Sequence, residues 1–329
     1  SPSGFTEKVT DYLLEEYARL GYSAKRTVKG GVIAEIGGEG DPILTMAHVD
    51  TLGAVVAEIK SNGRLRLSPV GGFNANNAEA HNCRVYTYDG QIYEGTIQLA
   101  DASLHVNKEY STTQRTFQSV EVVLDEPVTS KDDVKALGIT NGCFVCADPN
   151  LIVTNSGYIK SRFLDDKLSA AILLGYAKYI RENNITPLRK VYQHMTVFEE
   201  VGHGACASIP EDVTELLSVD MGCVGDGLEC TERQVSICAK DGHGPYNYQV
   251  TTGLVNAAKK DSIDYAVDIY PFYGSDADAA LSAGKDARHG LIGAGVYASH
   301  GYERSHKDGV VNTFRLLCSY LNGNAPKMD

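Results

Sequence analysis

Helical periodicity nearly vanishes from this chain between about residues 54 and 150. Short β-rich runs at 84–88, 92–99 and 120–124 alternate there with Gly, Asn, Asp and Pro, the pattern of a small all-β barrel with tight turns. On either side, strands and helices alternate. Phe5, Val9, Leu13, Tyr17 and Leu20 recur at helical spacing behind Ser3, so a first amphipathic helix with a Ser3 cap is expected over 3–20. Strands are expected at 32–36 and 43–48, split by the glycine-rich turn at 37–40. Beyond 150 the pattern predicts a helix at 167–181, a strand ending at Glu199, strands at 217–220 and 235–238, and a helix at 248–259. Strands at 266–269 and 291–296 then bracket a short helix after Asp276. A last helix runs from His306 to Leu321 with Val310, Phe314, Leu317 and Tyr320 on one face. This alternation predicts an α/β domain, a mixed sheet covered by helices on both faces. The β-rich stretch is then an insertion, so the α/β domain comes in two parts, 1–53 and 151–329, around an inserted domain at 54–150.

With 329 residues, 43% of them hydrophobic, the chain can build one large core and a second, smaller one. A formal net charge of −12 with no cluster of Lys and Arg argues against nucleic acid as a partner. No apolar run approaches the roughly 18 residues of a membrane span, and no charged-then-apolar leader appears, so neither membrane insertion nor secretion is expected. Eight cysteines without framework spacing fit reduced thiols. Together these features predict a cytoplasmic protein.

Acidic residues and histidines stand where the predicted elements end. Glu199 and Glu200 close an apolar strand just before Gly202, so one can bind a metal while its neighbour handles protons. His48 and Asp50 lie two apart at another strand end, a spacing that lets the carboxylate hold one imidazole nitrogen while the other binds a metal. Asp165 and Asp166 enter a helix, Asp220 follows a strand, and His306 opens the last helix. Singly, each has an ordinary explanation: a solvated turn, a hydrogen-bonded loop, a helix cap. Together, His48, Asp165, Glu200, Asp220 and His306 supply two imidazoles and three carboxylates, a donor set suited to paired zinc, cobalt or manganese, with Glu199 left as the base. His203 and His300 are expected beside this site, toward substrate. His81, His105, His194, His243 and His289 read as ordinary core or surface histidines, and Cys143 with Cys146 as structural. Gly71-Gly72 begins no strand-to-helix phosphate loop, which excludes a nucleotide site.

The ordered set Met46-Ala-His-Val-Asp50, Leu164-Asp-Asp-Lys167, Glu199-Glu-Val-Gly202, Val219-Asp220, Tyr273-Gly-Ser-Asp-Ala277 and Ser305-His306 resembles the tetrahedral aminopeptidase family of dinuclear metallopeptidases, over nearly the whole chain. The resemblance implies a peptidase with two divalent metal ions, zinc or else cobalt or manganese, acting on peptides with a free N-terminus. It also implies that His48, Glu200, Asp220 and His306 are terminal ligands, that Asp165 bridges the metals, that Asp50 orients His48 and that Glu199 is the general base. A cis peptide between Asp165 and Asp166 is implied, as is a homo-oligomer in which dimers formed through the inserted domain assemble into a dodecamer. Two segments depart from the family: His203-Gly-Ala205 lacks an expected arginine, and Glu303-Arg-Ser-His306 replaces Arg-Tyr-Thr-His. The rival readings are a metal-dependent deacylase or carboxypeptidase, a glycan hydrolase with two carboxylates and no metal, and an inactive binding homologue.

Overall fold

The computed structural model describes residues 1–328. They form two compact units, one of Ser1–Phe5 with Thr51–Asn150 and one of Thr6–Asp50 with the chain from Leu151 onward.

The smaller unit is built on a closed antiparallel barrel of six strands, in the order Gly53–Ile59, Leu65–Val70, Val120–Leu124, Ile92–Leu99, Asn82–Tyr86 and Phe144–Ala147. Val56, Leu67, Val85, Ile97, Val122 and Val145 are buried, as alternation along each strand requires when one face lines the interior. Closure leaves no unpaired edge. The strand expected at 84–88 lies earlier, at Asn82–Tyr86, because Thr87 opens a turn closed by the Gly90 N–H, which donates to its carbonyl. The unit is not purely β. Ser130 and Asp133 form a capping box that starts the helix Lys131–Ala136. The first five residues also belong here, and not with the α/β domain: Pro2 bridges to Thr51, and the Phe5 ring stacks on Phe144 at 4.9 Å.

The larger unit is a twelve-stranded mixed sheet. Four neighbouring strands at its centre are parallel, in the order Val191–Thr196, Ile43–His48, Glu215–Val219 and Arg288–Tyr297. Val32–Gly37 flanks them antiparallel on one side and Val235–Lys240 on the other. Every residue of the first three central strands is buried, as expected of parallel strands covered on both faces. Helices Glu7–Arg19, Leu164–Glu182, Tyr248–Lys260 and Lys307–Asn322 bring Tyr17, Tyr176, Leu254 and Leu317 into the same core as Ile43, Val191, Leu217 and Ile292. The side chains that alternate with these, Leu44, Met46 and Leu216, pack in a second core with Tyr246, Tyr270, Ala277 and Ala280. Burying each large aliphatic side chain contributes about 1.5–3 kcal/mol. The first helix begins after Thr6, so Ser3 does not cap it. Among the described residues no helix is long and apolar enough to cross a membrane. Because the central strands are parallel, their carboxyl ends fall on one edge of the sheet, where open α/β sheets bind ligands.

Candidate metal centre

His48 ends one parallel strand. Its Nδ1 lies 2.9 Å from the main-chain oxygen of Asp50. A carbonyl only accepts, so Nδ1 carries a proton and Nε2 is the nitrogen that faces the cluster. Nε2 stands 3.0 Å from Asp165 Oδ1, 3.5 Å from Glu199 Oε2 and 4.0 Å from Asp220 Oδ2. The Asp50 carboxylate, 3.5 Å from Nδ1, does a second job: its two oxygens accept the main-chain N–H groups of Glu199 at 3.1 Å and Glu200 at 3.3 Å.

Those two glutamates do not end the strand, which stops at Thr196. Phe198 takes a left-handed conformation, φ 70°, and Glu199–Val201 form one turn of 3-10 helix. The turn sends the side chains to different partners: Glu199 faces His48, while Glu200 Oε2 stands 3.7 Å from His300 Nε2. Nor do Asp165 and Asp166 cap their helix. Phe163 occupies the N-cap position, both aspartates have non-helical backbone, and the peptide between them is cis. Asp165 lies between two imidazoles, Oδ1 toward His48 and Oδ2 3.4 Å from His300 Nε2. Asp166 Oδ2 accepts the His48 N–H at 3.2 Å, and its Oδ1 is buried without a partner. Asp220 follows Glu215–Val219, and its main chain runs so close to Gly293 that a Cβ there would collide with its oxygen.

His306 does not reach this cluster, contrary to the sequence expectation. Its side chain is 1% exposed and both nitrogens are engaged: Nε2 lies 2.8 Å from the Ser156 carbonyl, and Nδ1 accepts the Asp308 N–H at 3.0 Å as the cap of the last helix. An imidazole so used has no lone pair left for a metal. His300 takes the place expected of it, with a side chain 43% exposed and open to the cavity. The dipeptide Ser-His occurs twice in this region, at 299–300 and 305–306, and pattern matching alone cannot choose between them. Sequence reasoning also missed Glu303, which is buried and accepts the main-chain N–H groups of both Asp165 and His300, at 3.0 and 3.1 Å. An acid three residues after a loop histidine was the available signal. His203 stacks on Phe198, ring centroids 5.1 Å apart.

Asp165, Glu199, Glu200, Asp220 and His300 open onto one cavity of about 490 Å³. Burial, reinforced by the charge of Asp165, pushes the carboxyl pKa of Glu200 up to about 8 and that of Asp220 up to about 7. Burial also raises Glu199 well above the ordinary carboxylate range. Ionising all these carboxyls together would place more negative charge here than the imidazoles balance, so the raised values mark a site that a cation would stabilise. Two groups, His48 with Asp165 and Glu200, and His48 with Asp166 and Asp220, bring ligand atoms within 4.8 Å of one another. Nitrogen and oxygen donors short of positive charge, with one buried carboxylate oxygen unpartnered, fit divalent cations.

The M42 glutamyl aminopeptidase family profile matches residues 30–316. YhfE, a candidate aminopeptidase of Bacillus subtilis (strain 168), is 44% identical over 323 residues, spanning 98% of this chain and 93% of that protein. Among solved structures, the TET aminopeptidase of a marine-sediment thaumarchaeon has a TM-score of 0.87 at 19% identity, covering 98% of this chain and 93% of that one. The TET1 peptidase of Pyrococcus horikoshii, which can assemble into a tetrahedron or a large octahedral shell, has a TM-score of 0.84 at 23% identity, covering 96% and 94%. At these identities the structural likeness establishes the fold.

Proposed function

The chain belongs to the M42 glutamyl aminopeptidase family, and from that premise we propose that it removes N-terminal residues from peptides with two divalent cations and Glu199 as proton carrier. That it is an aminopeptidase, a hydrolase of peptide bonds, follows from the family. The observation that carries the finer reading is the place of Asp165, one carboxylate between His48 and His300. In this reading Asp165 would serve both cations, His48 and Asp220 would help hold one, and His300 and Glu200 would help hold the other. Zinc, cobalt and manganese all suit these donors. Bound there, the cations would act as Lewis acids and lower the pKa of a water to about 7.

The remaining work falls to side chains of this protein. Glu199, its pKa raised by burial, takes a proton from the attacking water and passes it to the departing amine. Asp50 holds the turn that carries Glu199 and Glu200 by accepting both N–H groups. The substrate's free α-amino group is received by the carboxylates of the centre, which confines cleavage to chain ends. Assembly as a homo-oligomer, through dimers toward a dodecamer, is part of the proposal, as are a dimerising role for the inserted unit and a cytoplasmic location. Eight cysteines without a disulfide support a reducing compartment.

The test is release of the N-terminal amino acid from short peptides by chelator-stripped protein with zinc, cobalt or manganese restored in turn. Cleavage restored by metal and dependent on a free amino terminus is expected. Two ions bound per chain with no cleavage by any metal would sink the mechanism. Glu199→Gln should keep its metals and lose about 10² or more in kcat, and near-normal turnover would remove Glu199 from the role.

A further inference from the structure

The cavity extends beyond the metal centre, and its lining there includes no Lys and no Arg. It does include two further carboxylates, Asp276 and Asp278. Asp276 is committed to the fold, since one oxygen accepts the Ala205 N–H at 2.7 Å and the other the Thr196 hydroxyl. Asp278 serves the fold through one oxygen, closing a capping box with Ser275 at the start of its helix. Its Oδ2 is bonded by the Ser275 N–H at 3.1 Å and the Ser275 hydroxyl at 3.0 Å, but the nearest ion partner of Oδ1 is His289 Nε2, 3.7 Å away.

Behind Asp278 lies a second buried acid, Asp241, which accepts the N–H groups of His243 and Gly244. The Tyr246 hydroxyl stands 2.8 Å from Asp241 Oδ2 and 3.1 Å from Asp278 Oδ2. It has one proton for two carboxylates. The neighbouring ammonium, Lys240, is turned to the main-chain oxygen of Asp241 at 2.7 Å. His243, whose ring nitrogen belongs to the same close group as these two acids, also lines the cavity. The wall therefore has an acid pair with no Lys or Arg paired to its carboxylates, beside Phe272, which is fully exposed at the cavity, and Ala279. An aliphatic stem ending in a positive charge matches both features, because long basic side chains bury their methylenes while the charged head seeks an anion.

We propose that this wall is the subsite for the side chain of the substrate's N-terminal residue, and that Asp278 selects Lys and Arg there and rejects Glu and Asp. The proposal rests on the aminopeptidase reading and adds its substrate class. An acidic side chain would meet Asp278 as a like charge with no Lys or Arg to offset it. Norleucine would fill the same apolar space without a charge for Asp278 to pair.

The experiment measures kcat/KM of the metal-loaded enzyme for Lys, Arg, norleucine and Glu p-nitroanilides. Expected is a preference of at least about tenfold for Lys over norleucine, with Glu slowest, the scale of discrimination reached when a polar partner would be left unmatched. In Asp278→Asn the Lys-to-norleucine ratio should fall toward one. A misfolded or metal-poor variant lowers both substrates and leaves the ratio alone, so the ratio isolates the subsite. Ser282→Lys, at an exposed position on the cavity wall, should lower the same ratio by adding a cation. Norleucine cleaved as fast as Lys, or Glu cleaved fastest, would overturn the subsite while leaving the aminopeptidase reading intact. Turnover of none of the four would overturn both. A third zinc ion bound per chain, and lost in Asp278→Asn, would also overturn it by making the acid pair a metal site.

Discussion

Glu303 accepts the main-chain N–H of Asp165 at 3.0 Å across 138 positions of sequence. Its other oxygen accepts the N–H of His300 at 3.1 Å. One buried carboxylate thus sets the spacing between the loop that carries Asp165 and the loop that carries His300. Glu303→Gln keeps one accepting oxygen and turns an NH2 against the other N–H. It should weaken metal binding about 10–100-fold, the range found when an outer partner of a metal ligand is lost, with little change in circular dichroism. Zinc affinity measured against a competing chelator checks this, and an unchanged affinity would remove Glu303 from the support of the site.

The two Ser-His pairs should separate in mutagenesis. His300→Ala is expected to bind one metal ion per chain in place of two and to leave the cap of the last helix in place. His306→Ala loses the cap of the last helix and the bond to Ser156, so it should destabilise the metal-free protein by about 1–2 kcal/mol and still bind two ions. Metal content by mass spectrometry and urea unfolding of stripped protein decide. The reverse pattern would return the ligand role to His306.

Gly293→Ala tests how Asp220 is placed. A methyl group at this position collides with the Asp220 main-chain oxygen, and relieving such overpacking typically costs about 1–3 kcal/mol. The shift should move Asp220 and reduce metal affinity together with stability. Loss of stability with unchanged metal affinity would show that the Asp220 side chain does not depend on this approach.

His194 predicts a pH effect remote from catalysis. It is buried in a central strand, and burial pushes its pKa down from 6.5 to about 4. The unfolded chain therefore binds the proton that the folded chain refuses between these values. The contribution of His194 is fully present above about pH 6.5 and is lost as pH falls toward 4. Between pH 7 and pH 5 the loss amounts to about 2 kcal/mol. Urea unfolding of stripped wild type and His194→Gln at the two pH values should show a drop smaller by that amount in the variant. Equal drops would mean that His194 is not buried neutral.

Local pattern in the sequence was enough for the mixed sheet, the inserted barrel and the positions of the main helices, because apolar periodicity and turn chemistry act over a few residues. His48, Asp165, Glu200 and Asp220 stand out for a related reason: each follows or opens an element whose end the pattern reveals, and parallel neighbours bring those ends to one edge. The choice of His300 over His306 could not be read this way. Both fall in one polar stretch of sequence after the same residue type, and what separates them is the pairing of Tyr158–Ser161 with Glu303–His306, which buries His306 against Tyr158 and Ser156. Glu303 and the Asp241–Asp278 pair escaped for the same physical cause. Glu303 meets Asp165 across 138 positions, and Asp241 and Asp278 come from separate segments that only the tertiary fold brings within 4.8 Å of each other.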